Sequence, residues 1–430
     1  METEFLELNQ DIPRYMPVLD RWVHGVKSRQ PLAGVTALLI QHQLGNQVPQ
    51  TLALLELGLK PERLFWLDVP YTSNARVREA LVEIGIPRRN LISAYDYWVL
   101  HPYAPYQRRR VQEVIHSFLE DPPEQLLVLD DGAYFLEAAS CFRRRLPRVA
   151  VVEQTTRGLI KIDSSAALRL YAQSLPIVDV ARSSPKKTLE PPFIGRAVCA
   201  ALLRRLADRF APGHHGRCLV LGFGAIGSQV ANFAAEYLNF ESSLIHVFDT
   251  EHARCRAAAE SGYSVWQPKD LKTRFQLVIG CSGRASFAVH DYVHLEDGAI
   301  LASASSGSVE LSREGFIELA DSSKIDDIKI LRQEFNEEDI HSDLRIRLVD
   351  REVTFLNGGF PVNFDGRVNC VPTRYMQPTA TMMVSASVQA VSCCDNGVVD
   401  LDPAFCTWID KEFRVELGSD ADKLLTQRAA

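Results

Sequence analysis

The stretch LVLGFGAIGSQVANF, at positions 219–233, constrains the fold of this chain more than any other. Gly222, Gly224 and Gly227 have the spacing G-x-G-x-x-G, directly after an apolar β-run and at the start of an amphipathic helix. In that setting the first glycine permits a tight turn, and the second lets the backbone approach a pyrophosphate. The third lets the helix pack closely on the strand. The stretch therefore predicts a dinucleotide-binding βαβ unit.

Two further features of this stretch indicate which dinucleotide would bind. The first residues of the helix, Ala225 and Ile226, would direct their amides at the phosphates, because helix N-termini attract anions. A second β-run, LIHVFD, ends in Asp249, 22 residues beyond Gly227. A carboxylate there accepts hydrogen bonds from both ribose hydroxyls and repels a 2′-phosphate. NAD is therefore predicted over NADP, the alternative being a βαβ unit that binds nothing.

More than 200 residues precede the glycine turn, and they alternate β-runs with helical patterns. Runs such as LLVL and VAVV are apolar on both faces, as in central parallel strands covered by helices. The expected fold is α/β, with two domains of doubly wound, mostly parallel sheets, the second a Rossmann domain. The predicted boundaries are a substrate-binding domain at 1–188, the NAD-binding domain at 189–375, a helix returning to the first domain at 376–403, and a C-terminal tail at 404–430.

The composition of the chain limits the kinds of partner it is expected to bind. A formal net charge of −7 argues against nucleic acid as a binding partner. The nine cysteines include no CxxC pair, so reduced thiols are expected rather than a disulfide frame or metal site. The N-terminus lacks a signal-peptide pattern, and no apolar run reaches membrane-spanning length. A cytoplasmic protein with a small-molecule substrate, and no membrane or nucleic-acid partner, is therefore expected.

Several stretches, in the right order, resemble the S-adenosyl-L-homocysteine hydrolase family. The clearest are LLVLDDGAY (126–134), which is similar to LILDDGGD, and VEQTTRGLIKI (152–162), which is similar to EETTTGVxxL. PLAGVTALLIQHQ, PIVDVARSSPKKTLE and VNFDGRVNCVPT also resemble family motifs, so the similarity extends from about residue 30 to about residue 395. The resemblance implies a bound NAD that oxidises the 3′-hydroxyl of a nucleoside. Removal of the C4′ proton, elimination, addition of water and return of the hydride would follow. It also implies a homodimer or homotetramer.

The resemblance assigns roles to individual residues. The residues at its catalytic positions are Lys186, Asp130, His42 and Glu190, of which Lys186 would exchange a proton with the hydroxyl being oxidised. The residues at positions that reach the nicotinamide side of NAD are Thr155, Thr156, Arg157 and Asn363.

The departures from the family pattern concern the adenosine and homocysteine pocket. Asn46 and Gln154 stand where the family has glutamates, and Gln377 stands where it has a histidine. We expect these three residues to contact a different, nucleoside-like or sugar-like substrate. Its oxidised form would undergo elimination, hydration or epimerisation. The alternatives are an authentic S-adenosylhomocysteine hydrolase with an altered pocket and an inactive NAD-binding regulatory homologue.

Overall fold

The computed structural model describes residues 11–93, 103–142, 146, 148–210, 213–320, 341–348 and 350–426. The chain divides into two compact units. Unit 1 comprises the described residues of Met1–Glu190 together with Gly366–Leu425, and unit 2 takes in Pro191–Asp365. Unit 1 is thus built from two separate parts of the chain.

Unit 1 contains a seven-stranded sheet in the order β14-β6-β5-β4-β1-β2-β3, and every neighbouring pair is parallel. The strands are β1 (Thr36–Gln41), β2 (Leu64–Asp68), β3 (Leu91–Ile92), β4 (Leu126–Asp130), β5 (Val149–Glu153), β6 (Pro176–Asp179) and β14 (Gly397–Asp400). Strand order reverses between β1 and β4. In open parallel sheets, ligands bind beyond the carboxyl ends of the strands at such a switch point.

Helices cover the sheet of unit 1. They are Ile12–Tyr15, Pro17–Val26, Gln47–Glu56, Ala75–Glu83, Tyr103–Glu120, Tyr134–Ala139, Thr156–Ser164, Ala166–Ala172, Ser184–Leu189, Thr373–Ser392, Pro403–Leu417 and Ala421–Thr426. The helix Thr373–Ser392 contributes Met382, Met383 and Val384 to the core of this unit, where they join Trp66. Its many small residues allow this close packing.

Unit 2 contains the order β12-β13-β11-β10-β7-β8-β9, in which β12 and β13 alone are antiparallel. Its strands are β7 (Cys218–Leu221), β8 (Ile245–Phe248), β9 (Ser264–Val265), β10 (Phe275–Gly280), β11 (Leu295–Ser303), β12 (Leu344–Arg347) and β13 (Glu352–Phe355). Its helices are Pro191–Leu206, Ala225–Tyr237, His252–Glu260 and Arg313–Leu319. The chain reverses between β7 and β10, as in a Rossmann domain. The predicted α/β class with two mostly parallel sheets is confirmed.

The stretch FPVNF, at positions 360–364, reads like a strand in sequence but makes a single isolated bridge, between Pro361 and Ser303. The side-chain amide of Asn357 donates to the carbonyl oxygens of Pro361 and Phe364 at 2.9 Å each. These carbonyls are therefore satisfied by a side chain rather than by a neighbouring strand.

Within the described part of the chain, no helix is both long and apolar enough to cross a bilayer.

All nine cysteines are free thiols. Burial raises the pKa of Cys218 and of Cys281, so these two thiols stay protonated at neutral pH.

Candidate functional site

The glycine turn follows β7 in unit 2 and leaves no room for side chains at two of its three positions. Gly222 has φ of 94°, and a Cβ there would lie 2.8 Å from the Cα of Ser282. A Cβ on Gly227 would overlap the carbonyl oxygen of Gly222. Gly224 caps the helix Ala225–Tyr237, and a Cβ there would meet only Arg254, at 3.6 Å. Gly222 and Gly227 thus shape the turn, while Gly224 leaves space beside the helix N-terminus. That geometry fits a pyrophosphate.

Asp249 lies next to this turn, as the sequence predicts. Its Oδ2 accepts a 2.7 Å hydrogen bond from the Phe223 amide, and its Oδ1 accepts one of 2.9 Å from the Glu251 amide. The carboxylate therefore joins the glycine turn to the end of β8. Arg254, which sequence reasoning missed, places Nη1 3.4 Å from Oδ2 of Asp249. The sequence signal that could have found Arg254 is a basic residue in the first turn of the helix that follows Asp249.

A buried carboxylate, Glu310, organises the loops beyond β10 and β11. It accepts hydrogen bonds from the Ser282 hydroxyl at 2.8 Å, the Ser305 hydroxyl at 2.5 Å and the Gly283 amide at 2.5 Å. Burial raises its pKa, and these donors oppose the rise. Because Ser282 also packs against Gly222, Glu310 supports the wall of the glycine turn.

Asn363, predicted to bind the nicotinamide amide, is buried in unit 2. Its Oδ1 has no hydrogen-bond partner among the described residues. An orphaned buried carbonyl is costly unless a ligand or water supplies a donor. The side chain is thus suited to an amide ligand.

Polar side chains of unit 1 meet at the switch point between β1 and β4. The Nε2 atom of His42 lies 3.1 Å from Oδ2 of Asp131, and its Nδ1 atom lies 3.2 Å from Oγ1 of Thr72. The Thr72 hydroxyl donates to the carbonyl oxygen of Val69 at 2.9 Å. Since that hydroxyl has only one proton, Nδ1 of His42 must be the donor to Thr72. Nε2 is then the ring nitrogen that faces the Asp131 carboxylate.

Burial lowers the pKa of His42. The charge of Asp131 opposes that effect, and the charge of Lys186 reinforces it. Oδ1 of Asp131 is buried and has no partner among the residues that the structure describes. The pair can thus hold or release a proton and still offer an oxygen to a ligand.

The carboxylate of Asp130, predicted to be catalytic, is engaged by backbone amides of the next helix. Its two carboxylate oxygens accept hydrogen bonds from the amides of Tyr134 at 3.0 Å and Phe135 at 2.8 Å, so they cap the helix Tyr134–Ala139. The carboxylate that faces His42 is Asp131, because successive residues at the end of β4 point in different directions. Burial raises the pKa of Asp130 to about 7.

Lys186 and Glu190, both predicted to be catalytic, form an ion pair in unit 1. The Lys186 amine lies 2.5 Å from Oε2 of Glu190, and both side chains are largely buried. The Thr379 hydroxyl donates to the same oxygen of Glu190. The carboxylate therefore holds the amine in place, and Thr379, from a distant part of the sequence, holds the carboxylate.

The predicted substrate contacts separate into two groups. Gln154 belongs to a chain of amides, in which Gln41 donates to it at 2.7 Å and Gln50 donates to Gln41 at 3.1 Å. Asn46 is buried, and its Nδ2 has no partner within the described ranges. Gln377 does not join them. Its Oε1 accepts from the Val18 amide at 2.9 Å and its Nε2 donates to the Arg374 carbonyl at 2.9 Å, so its amide is used in packing.

The predicted threonines of unit 1 serve the local fold. Thr155 caps the helix Thr156–Ser164 by accepting from the Gly158 amide at 2.9 Å, and its hydroxyl donates to Glu153 at 2.7 Å. Thr156 is exposed and Arg157 is buried. Glu153, which sequence reasoning did not single out, also accepts hydrogen bonds from two backbone amides of the turn that contains Asp131. Burial raises its pKa well above the ordinary glutamate value.

Among the described residues, no group of three or more His, Cys, Asp or Glu side chains is placed to hold a metal ion. The candidate sites are the glycine turn of unit 2 and the polar switch point of unit 1. Each lies at the carboxyl ends of parallel strands.

Comparisons with known proteins give distant relatives, and no family model matches the chain. Two uncharacterised proteins from two strains of Mycobacterium tuberculosis are 27% identical over 349 residues, which is 79% of this chain. The chain matches 61% of the length of those relatives. An adenosylhomocysteinase from Thermotoga maritima is 24% identical over 72% of both chains. Among solved structures, the A chain of dipicolinate synthase from Bacillus subtilis covers 65% of this chain and 84% of its own length. It has 10% identity and a TM-score of 0.32, a similarity too low to carry a functional conclusion.

Proposed function

We propose that this protein is an NAD-dependent enzyme with adenosylhomocysteinase-like chemistry. It would transiently oxidise a secondary hydroxyl of a nucleoside-like or sugar-like substrate, and elimination, hydration or epimerisation would follow. The observation that carries the proposal is the grouping in unit 1 of a lysine–carboxylate pair, Lys186 with Glu190, and a histidine–carboxylate pair, His42 with Asp131. The charge of Lys186 lowers the pKa of His42, so the two pairs are electrostatically linked.

Unit 2 supplies the binding site for the cofactor. The glycine turn would hold the pyrophosphate, Asp249 the ribose hydroxyls and Asn363 the nicotinamide amide. When bound, NAD supplies a hydride acceptor that takes a hydride from a carbinol carbon and returns it at the end of the cycle.

The side chains of unit 1 would manage the protons. Oxidation of an alcohol releases a proton from the hydroxyl, and the Lys186 amine, held by Glu190, would exchange it. The next step, removal of a proton beside the new carbonyl or protonation of a leaving group, needs a second acid or base. Nε2 of His42 lies 3.1 Å from Oδ2 of Asp131 and Thr72 fixes the imidazole ring, so this pair is suited to that role.

The substrate is proposed to differ from S-adenosylhomocysteine. Gln154 and Asn46 place neutral carboxamides where the resemblance expects carboxylates. A site built around hydrogen bonds of one kind discriminates strongly against a ligand that cannot make them. The substrate is therefore expected to present different hydrogen-bonding groups to Gln154 and Asn46 than S-adenosylhomocysteine would.

The test combines the NAD-loaded protein with a panel of nucleosides and sugars and follows the absorbance of bound NADH. Solvent deuterium entering the ligand would report the proton step independently. Lys186→Gln should abolish both signals, whereas Lys187→Gln, which changes an exposed neighbouring lysine, should preserve them.

Two outcomes would favour the alternatives. Turnover of S-adenosylhomocysteine at a rate ordinary for the family would indicate an authentic hydrolase with an altered pocket. Absence of both signals with every compound of the panel, in protein shown to have NAD bound, would indicate an inactive regulatory homologue. The packing role of Gln377 favours the second alternative, because both ends of the amide at this family histidine position are engaged by backbone groups.

A further inference from the structure

Three charged side chains form a connected group beside the glycine turn of unit 2. Arg254 directs Nη1 to Oδ2 of Asp249 at 3.4 Å and Nη2 to Oε1 of Glu251 at 2.9 Å. Its guanidinium is also the group that a Cβ on Gly224 would meet first. The cation therefore lies beside the carboxylate proposed to bind the adenosine ribose.

An arginine at this place has two possible effects on a dinucleotide. A free guanidinium beside the ribose carboxylate would bind a 2′-phosphate, because arginine recognises phosphate through paired N–H donors. A guanidinium already engaged by carboxylates cannot offer those donors without breaking existing contacts. Here one arginine is shared by two carboxylates, so the group carries a net negative charge.

We propose that Asp249, Glu251 and Arg254 act together as the cofactor-selecting element, in which Glu251 keeps Arg254 from accepting the 2′-phosphate of NADP. The inference rests on the proposed function only in that unit 2 binds a nicotinamide dinucleotide. Asp249 alone would repel a 2′-phosphate, but Arg254 beside it would cancel that repulsion. Glu251 restores the selection by drawing the guanidinium toward itself.

The exposure of the three side chains separates their roles. The side chain of Asp249 is 5% exposed, whereas those of Arg254 and Glu251 are 44% and 60% exposed. Asp249 is tied to the turn by the Phe223 amide, so its replacement would disturb the turn itself. Glu251 can be changed on the surface without affecting the fold, which makes it the informative position.

The experiment measures the dissociation constants of NAD and NADP by calorimetry on the full chain freed of cofactor. Wild-type protein should prefer NAD. Glu251→Gln should tighten NADP binding about tenfold, as expected for a newly available charge-assisted hydrogen bond, and leave NAD binding within about twofold. Glu251→Gln combined with Arg254→Gln should lose the gain, because the gain requires the guanidinium.

Glu260→Gln is the matched control, since it removes one negative charge from the exposed end of the same helix. It should leave the NADP affinity within about twofold, because exposed charges at a distance are screened by salt. An unchanged NADP affinity in Glu251→Gln, or a gain that persists in the double variant, would overturn the inference while NAD binding stands. Failure of wild-type protein to bind either dinucleotide would instead overturn the proposed function itself.

Discussion

Nε2 of His42 lies 3.1 Å from Oδ2 of Asp131, while Asp130, one residue earlier, turns its carboxylate into the N-terminus of the next helix. Two adjacent aspartates thus have separate roles. One faces a histidine at the switch point of the sheet, and the other stabilises the turn that presents it.

The pKa of His42 should respond in opposite directions to its two charged neighbours. Asp131→Asn removes the carboxylate that raises the pKa and should lower it further. Lys186→Gln removes the cation that lowers the pKa and should raise it. An NMR titration of the His42 ring measures both shifts. Lys187→Gln should leave the titration unchanged, and equal shifts in all three variants would contradict the proposed electrostatic link.

The stability of unit 1 should depend on the protonation of Asp130. Its pKa is raised from 3.8 to about 7, so the folded state holds a proton that the unfolded state releases. Stability from this group is therefore full below about pH 4 and is lost as the pH rises toward about 7, by on the order of a few kcal/mol.

Asp130→Asn removes this group from the titration. Urea unfolding between pH 4 and pH 8 should show a shallower loss of stability with rising pH in the variant than in wild-type protein. Burial lowers the pKa of His42, so that residue contributes with the opposite sign, gaining stability as the pH rises through its ordinary value of 6.5. Identical pH profiles for the variant and wild-type protein would contradict the assignment.

Gly158→Ala should destabilise the protein strongly. An added Cβ would overlap the buried carboxyl of Glu153, which is held by the amides of the Asp131 turn and cannot move freely. A loss of about 2–4 kcal/mol is expected from overpacking combined with disruption of a buried hydrogen-bonded carboxyl. Thermal and urea unfolding measure it. Gly25→Ala is the matched control in another helix, where a Cβ meets nothing within 4 Å, and it should be neutral or stabilise by up to about 1 kcal/mol.

Gly227→Ala and Gly224→Ala should separate folding from cofactor binding. At Gly227 a Cβ overlaps the Gly222 carbonyl, so the turn must shift and both stability and NAD affinity should fall. At Gly224 the backbone has φ of −81° and a Cβ meets only the flexible end of Arg254, so stability should be retained. NAD affinity should nevertheless fall by at least about tenfold, because the methyl group occupies the approach of the pyrophosphate. Calorimetry with NAD and thermal unfolding of both variants distinguish the two effects, and unchanged NAD binding by Gly224→Ala would contradict the proposed site.

Much of this architecture is contained in local sequence. Strands β1, β4 and β5 are apolar on both faces because they lie in the interior of a parallel sheet, and that pattern depends on nearby residues alone. The glycine turn and Asp249 were likewise predicted, since a tight turn followed by a helix requires specific residues at fixed spacing. The pairing of Lys186 with Glu190 follows from their positions one helical turn apart.

Tertiary structure decided the features that depend on the direction of a side chain or on hydrogen-bonding partners distant in the sequence. Sequence could not distinguish Asp130 from Asp131, because the orientation of each side chain is set by the backbone at the end of β4. Nor could it show that Gln377 bonds Val18, which is 359 residues earlier in the chain, or that Arg254 is shared by Asp249 and Glu251. Residue type and spacing specify which elements form and which groups are available. The hydrogen-bonding partners that packing brings to each polar group determine whether that group remains free for a ligand or is used to hold the fold together.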